Sequence, residues 1–133
     1  CIINETEPSR ETAKIPLLHS KYLSILTHHK LIIHKLNNEY KTLKAIKWEY
    51  YRGKLNNPDD LKTYGWEPIT KKIDRQDVPI YLESDKDLTV ILLKKVIHEE
   101  IVDFCTSVLK EINSRTYQLG NLIKWEIFSQ GSK

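Results

Sequence analysis

Apolar residues recur along the first half of the chain in two interleaved rows. One runs Leu18, Ile25, Ile32, Glu39, Ile46, and the other Tyr22, His29, Leu36, Leu43, Tyr50. The spacings alternate between three and four, close to the 3.5-residue period of a helix that packs against another helix; Glu39 and His29 are the exceptions. Residues 17–52 contain neither Gly nor Pro. The pattern therefore predicts one helix over 16–53, opened by Pro16 in its first turn and closed at Gly53, with residues 1–15 as an irregular lead-in. Its break-free part is about 54 Å long at about 1.5 Å per residue.

Residues 55–70 hold Asn56, Asn57, Pro58, Gly65 and Pro68 and predict a connector, with a helical turn near 60–64. Residues 71–83 fit a short helix or a strand, and Asp77-Val78-Pro79 favours a short helix from Val78. Ser84 with Asp87 has the spacing of a capping box ahead of an apolar run. A second long helix is predicted over 85–130. Ile97, Ile101, Phe104, Val108 and Ile112 form one stripe on it, with Val102, Cys105 and Leu109 beside it. Leu119, Leu122, Ile123 and Ile127 continue the stripe, and Asn113-Ser114-Arg115 or Gly120 is a candidate break. The expected fold is all-α: a single helical domain over 1–133, built of two long antiparallel helices with a short connector and a small helix. Two such helices enclose little interior, so the apolar seams call for cover by further copies. Leu18, Ile25, Ile32, Leu36, Leu43, Ile101 and Phe104 are the expected oligomer interface.

Charge sharpens this picture. Between residues 16 and 54 stand Lys21, Lys30, Lys35, Lys41, Lys44, Lys47, Arg52 and Lys54, against only Glu39 and Glu49. That stretch carries +6 while the chain carries +3, so the remainder is net acidic at −3. An ordinary exposed helix intersperses Glu with Lys because i,i+4 pairs help it; this one almost omits Glu. At about 100° per residue, Lys30, His34, Lys41, Lys44 and Arg52 share roughly a quarter turn, with Trp48 in their midst and Tyr51 at the edge. Segregated positive charge with interleaved aromatics is the footprint of a polyanion binder. A solvated lysine face on a bundle helix is the plainer alternative.

Other chemistry is absent from the pattern. No phosphate-binding G-x-x-x-x-G-K-[ST] and no C-x-x-C occur. His19, His28, His29 and His34 lack a Cys or carboxylate at ligand spacing, so no metal and no cofactor are expected. Asp85 and Asp87 read as helix-start charges. Cys105 reads as a buried inert thiol and, with Cys1, sets no disulfide framework; a reducing, intracellular compartment fits. No apolar run is long enough to span a membrane. The chain is not expected to be an enzyme. It starts at Cys1 rather than Met, and a preceding segment is expected.

Several strings resemble the UvsY recombination mediators of T-even-type phages. They are Ile15-Pro16 before His19-Ser20-Lys21-Tyr22-Leu23, Trp48-Glu49-Tyr50-Tyr51-Arg52-Gly53, Ser84-Asp85-Lys86-Asp87, Asp103-Phe104-Cys105 and Ile112-Asn113-Ser114-Arg115. They occur in the family's order and cover roughly residues 15–131, while the connector at 54–70 diverges. The resemblance implies a non-catalytic protein that forms a hexameric or heptameric ring. It implies binding to single-stranded DNA together with the phage single-strand-binding protein, and loading of the RecA-like recombinase UvsX, in the cytoplasm of the infected bacterial host. Family members carry a short segment ahead of the first residue here. The family's DNA-contacting basic pair precedes the Tyr-Tyr-x-Gly string; a gapless match puts Lys47 on one position and Ala45 on the other, with Lys44 adjacent. The expected DNA-binding residues are Lys30, Lys41, Lys44, Lys47, Trp48, Tyr51, Arg52 and Lys54. Trp48 either stacks on bases or packs in a helix interface. The alternative function is a coiled-coil scaffold whose basic helix docks an acidic protein partner.

Overall fold

A computed structural model describes residues 2–131, with side chains from Lys14 to Ser129. Among the described residues all regular structure is helical, as the periodicity predicts: α1 (Ile2–Tyr51), α2 (Pro58–Tyr64), α3 (Val78–Glu83) and α4 (Lys86–Gly131). The first correction concerns the start of α1. It begins at Ile2 rather than near Pro16, so residues 2–15 are helical and both Pro8 and Pro16 fall inside the helix. An internal proline costs a hydrogen bond and about 3 kcal/mol, and the sequence reading treats that cost as a stop. Once a helix is nucleated, however, each further residue adds a bond cheaply, and good formers flank Pro16. Neither Asn113-Ser114-Arg115 nor Gly120 interrupts α4.

The helix ends follow their sequence signals closely. Gly53 takes φ +75° and Gly65 φ +73°, a left-handed conformation open to glycine. After each, the next residue's N–H reaches back five residues: Lys54 to the Glu49 carbonyl at 3.0 Å and Trp66 to the Leu61 carbonyl at 2.9 Å. Both are Schellman closures. The Asn57 side chain caps α2 by accepting from Asp59 N–H at 2.9 Å. At α4 the cap is Asp85, one residue later than the capping box at Ser84 predicts. Asp85 Oδ1 accepts from Leu88 N–H at 3.0 Å, and its carbonyl accepts from Thr89 N–H at 3.0 Å. Ser84 instead donates to the carbonyls of Ile80 and Tyr81, closing α3.

The chain divides into two units, one spanning Ile32–His98 and one joining the chain up to Leu31 with that from Glu99 onward. The first contains the end of α1, all of α2 and α3, and the start of α4. Its core is Ile73, Val78, Leu82 and Leu88, with Tyr40, Leu43, Trp48, Tyr51, Ile69 and Tyr81 packed around it. Here Lys47 meets Asp85, and Ile91 shares a recess with Asn38, Leu43 and Ile46. Rising numbers on α4 thus match falling numbers on α1, and the two run antiparallel. The second unit buries Leu26, Cys105 and Ile112; Cys105 is a free thiol. Among the described residues no helix is long and apolar enough to cross a membrane.

Candidate nucleic-acid interface

The last three turns of α1 point their basic residues in two directions. Lys41 and Lys44 are exposed, and Lys54 is exposed just past the Gly53 turn; Arg52 is half-buried. Among the described residues none of these four forms an ion pair with a carboxylate. Lys44 Nζ lies 5.7 Å from the Tyr40 ring centroid. Tyr40, Lys44 and Trp48 line a recess of about 150 Å³ whose other wall is Pro79, Leu82 and Glu83. Trp48 is half-buried there and packs on the core below. The structure therefore brings Lys44 and Trp48 together as the helical wheel predicts, and covers part of the indole within the protomer. Lys30 lies in the other unit and is exposed.

Lys47 points the other way, and this is the main correction to the expected DNA-binding set. It is 4% exposed. Its Nζ sits 2.9 Å from Asp85 Oδ2 and 2.8 Å from Asp87 Oδ2. The Trp66 ring centroid is 3.8 Å from the same nitrogen, with the Tyr50 and Tyr51 rings at 5.3 and 6.0 Å. Trp66 Nε1–H donates to Asp87 Oδ2 at 2.9 Å. The Tyr51 hydroxyl donates to Asp85, and the Tyr50 hydroxyl to the Glu67 carbonyl. An ammonium so enclosed cannot be shed of its partners cheaply, so Lys47 is held in the fold and does not present its charge at the surface.

The carboxylates have two duties. Both stand at the start of α4, where the helix dipole favours negative charge. Together they outweigh Lys47 by one unit, and that excess lies where the dipole accepts it. Burial alone would raise the Asp85 carboxyl. The hydrogen bonds from Tyr51, Leu88 and Lys47, and the Lys47 charge, outweigh it and hold the group below its ordinary value. Burial and the hydrogen bond to Asp85 push the Tyr51 hydroxyl well above its ordinary value. Tyr50 is also raised, by burial first, with Lys47 pulling the other way.

Tyr51, expected to face DNA, thus has its hydroxyl engaged, while its ring meets Tyr81 at 5.6 Å. Sequence reasoning missed Asp85, Asp87 and Trp66 as partners of Lys47. One signal was present: Trp48-Glu49-Tyr50-Tyr51-Arg52-Gly53 and Ser84-Asp85-Lys86-Asp87, two of the strings that carry the resemblance, are the ones that meet in space here.

The expected interface residues also divide. Leu36 is buried within the protomer, while Leu43 is half-buried, packing on the core and lining the recess beside Ile91. Ile25, Ile32 and Ile101 are half-buried. Leu18 is exposed, and Phe104 is 62% exposed. Among the described residues no group of three or more His, Cys, Asp or Glu could hold a metal ion.

Comparison with known proteins bears on this geometry. No curated protein matches the sequence. The chain is similar in structure to the recombination mediator protein UvsY of bacteriophage T4 in three crystal forms, at 20% sequence identity in each. In lattice type I the TM-score is 0.75, covering 93% of this chain and 88% of that one. Lattice type IV gives 0.74 over 93% and 87%, and lattice type II gives 0.75 over 94% and 85%. At that identity the likeness establishes the fold. The family model for UvsY, described as a recombination, repair and single-stranded-DNA-binding protein, matches residues 1–132. With nearly its whole length matched, the chain belongs to the UvsY family.

Proposed function

We propose that this chain is a recombination mediator that binds single-stranded DNA and promotes loading of a RecA-like recombinase onto strands covered by single-strand-binding protein. The observation that carries the reading is the basic end of α1. Lys41, Lys44, Arg52 and Lys54 have no carboxylate partner among the described residues, and Lys44 stands beside the Trp48 and Tyr40 rings. Phosphate-tracking lysines beside stacking aromatics hold single strands without reading sequence. Lys30, exposed in the other unit, is a further basic residue available to DNA. We assign Lys47 a positioning role: its ion pairs fix the end of α1 that carries the contacting residues. The protein works as a homo-oligomer, which raises the effective concentration of a modest strip on each protomer. Phe104 and Leu18 are apolar residues left for that assembly. Family membership supports single-stranded DNA and a recombinase as partners, and the single-strand-binding protein belongs to the same proposal.

A salt titration of oligothymidylate binding tests the reading. Affinity should fall steeply with salt, and the log–log slope should become about 0.7 less negative for each phosphate contact removed. The double variant Lys41→Ala/Lys44→Ala should weaken binding to all sequences and flatten the slope by about 1.4. An unaltered slope with the assembly intact would place the DNA surface elsewhere. Tight binding to an acidic protein with none to DNA would favour the scaffold reading.

A further inference from the structure

α3 lends residues to two recesses, each with aromatic rings and a lysine. Pro79, Leu82 and Glu83 wall the one that holds Lys44 and Trp48. Tyr81 walls the other, of about 190 Å³, which the proposed function leaves unused. Its aromatic sides are Tyr51 and Tyr81, its apolar floor is Pro68, Ile69 and Ile73, and Lys71 stands at its edge. No carboxylate lines it. Lys71 Nζ is 5.4 Å from the Tyr81 ring centroid, and the residue is exposed.

We propose that this second recess is a nucleobase subsite for single-stranded DNA, in which Tyr51 or Tyr81 stacks on a base and Lys71 holds the adjoining phosphate. The inference rests on the reading of the chain as a single-strand binder, and adds a contact on the connector side of α3. The volume equals several waters, each with a share of about 30 Å³ in the liquid, so a flat heterocycle has room to displace them. The Tyr51 hydroxyl is bonded to Asp85, which fixes the ring, and a fixed ring loses little freedom on stacking. Lys71 Nζ stands 5.4 Å from the Tyr81 ring centroid, and the Tyr81 hydroxyl holds the ammonium above its ordinary value. An ammonium has three donors to offer phosphate oxygens. Every base has a π-face, so such a subsite tolerates any sequence.

The test uses the full chain, oligothymidylate as probe, and iododeoxyuridine-substituted oligothymidylate for photocrosslinking. Lys71→Ala touches an exposed side chain and should leave the fold intact. It should make the salt slope about 0.7 less negative. Tyr81→Leu keeps apolar bulk against the core; it should lower affinity on the order of tenfold with the slope unchanged. Crosslinks should map to Tyr51 or Tyr81 and weaken in Lys71→Ala. Crosslinks confined to Trp48 and Tyr40, with an unaltered slope in Lys71→Ala, would overturn the subsite while leaving the proposed function standing. Absence of any salt-dependent binding by the parent protein would overturn both.

Discussion

The two units of the chain solve the burial problem differently. The unit spanning Ile32–His98 closes on itself: a core cluster of four buried apolar residues, aromatics packed around it, and a lysine enclosed by two carboxylates. The other unit buries Leu26, Cys105 and Ile112; both units leave aliphatic side chains in water, Ile80, Leu93 and Ile97 in the first among them, but the second exposes most of its large aromatics as well. Tyr117 is 72% exposed, and Trp125, Ile127 and Phe128 are about as open. The contrast teaches where each part gets its stability. The first unit is specified by short elements that return onto α1, each stopped by a glycine or a cap. The second consists of long helix alone, and a helix with a wide apolar surface needs a neighbour.

The largest effect should come from breaking the closed unit at its charge. Lys47→Met leaves Asp85 buried without its cation and should cost about 3–5 kcal/mol in denaturant unfolding. Lys44→Met, three residues away and exposed, should change stability by less than about 0.5 kcal/mol. Equal stability of the two variants would mean that Lys47 is not enclosed. In the open unit the readout changes from stability to mass. Phe104→Asp should shift the native mass toward the protomer in light scattering, because a charge in a packed seam costs several kcal/mol. An unaltered assembly would remove Phe104 from the interface.

The glycines sharpen the same contrast. Gly65→Ala forces a Cβ into the left-handed region and should destabilise by about 1–2 kcal/mol, although nothing lies within 4 Å to clash. Gly120 has equally open surroundings and ordinary helical backbone, so Gly120→Ala should stabilise by about 0.5–1 kcal/mol. Thermal melts of both variants decide it, and equal signs would contradict the assignment.

Protonation should act on the closed unit through Asp85 and Tyr51. The Asp85 carboxyl is lowered in the fold, so its contribution is present above the ordinary value of 3.8 and is lost as pH falls through the lower folded value. Tyr51 is raised, so its contribution is present below 10.0 and is lost as pH climbs through that value toward the folded one. A pH series of unfolding midpoints should narrow at both ends for the parent chain. Tyr51→Phe should remove the alkaline limb attributable to that hydroxyl.

The two long helices, the Gly53 stop and the short helix at Val78 were legible because each depends on residues close in sequence. Pro16 misleads because a local penalty is read as decisive while the flanking residues keep the helix running. The α4 cap shifts from Ser84 to Asp85 because Asp85 also meets Tyr51 and Lys47, which local spacing does not reveal. Lys47 is the clearest case. From its neighbours it belongs to a basic helix, and its carboxylates lie far downstream, beyond the connector. Leu36 and Leu43 likewise carry the seam's period, which cannot say whether cover comes from the same chain or another.

The tryptophans turn this division into an optical property. Trp48 lies against the core, Trp66 lies over an ammonium at 3.8 Å, and Trp125 is 65% exposed in the other unit. Indole emission moves to the red in water and to the blue when water is withdrawn. Opening of the closed unit should redden Trp48 and Trp66, whereas a partner laid over the end of α4 should turn Trp125 blue. Single-tryptophan variants would then follow folding and assembly at separate wavelengths in one cuvette, without an added label.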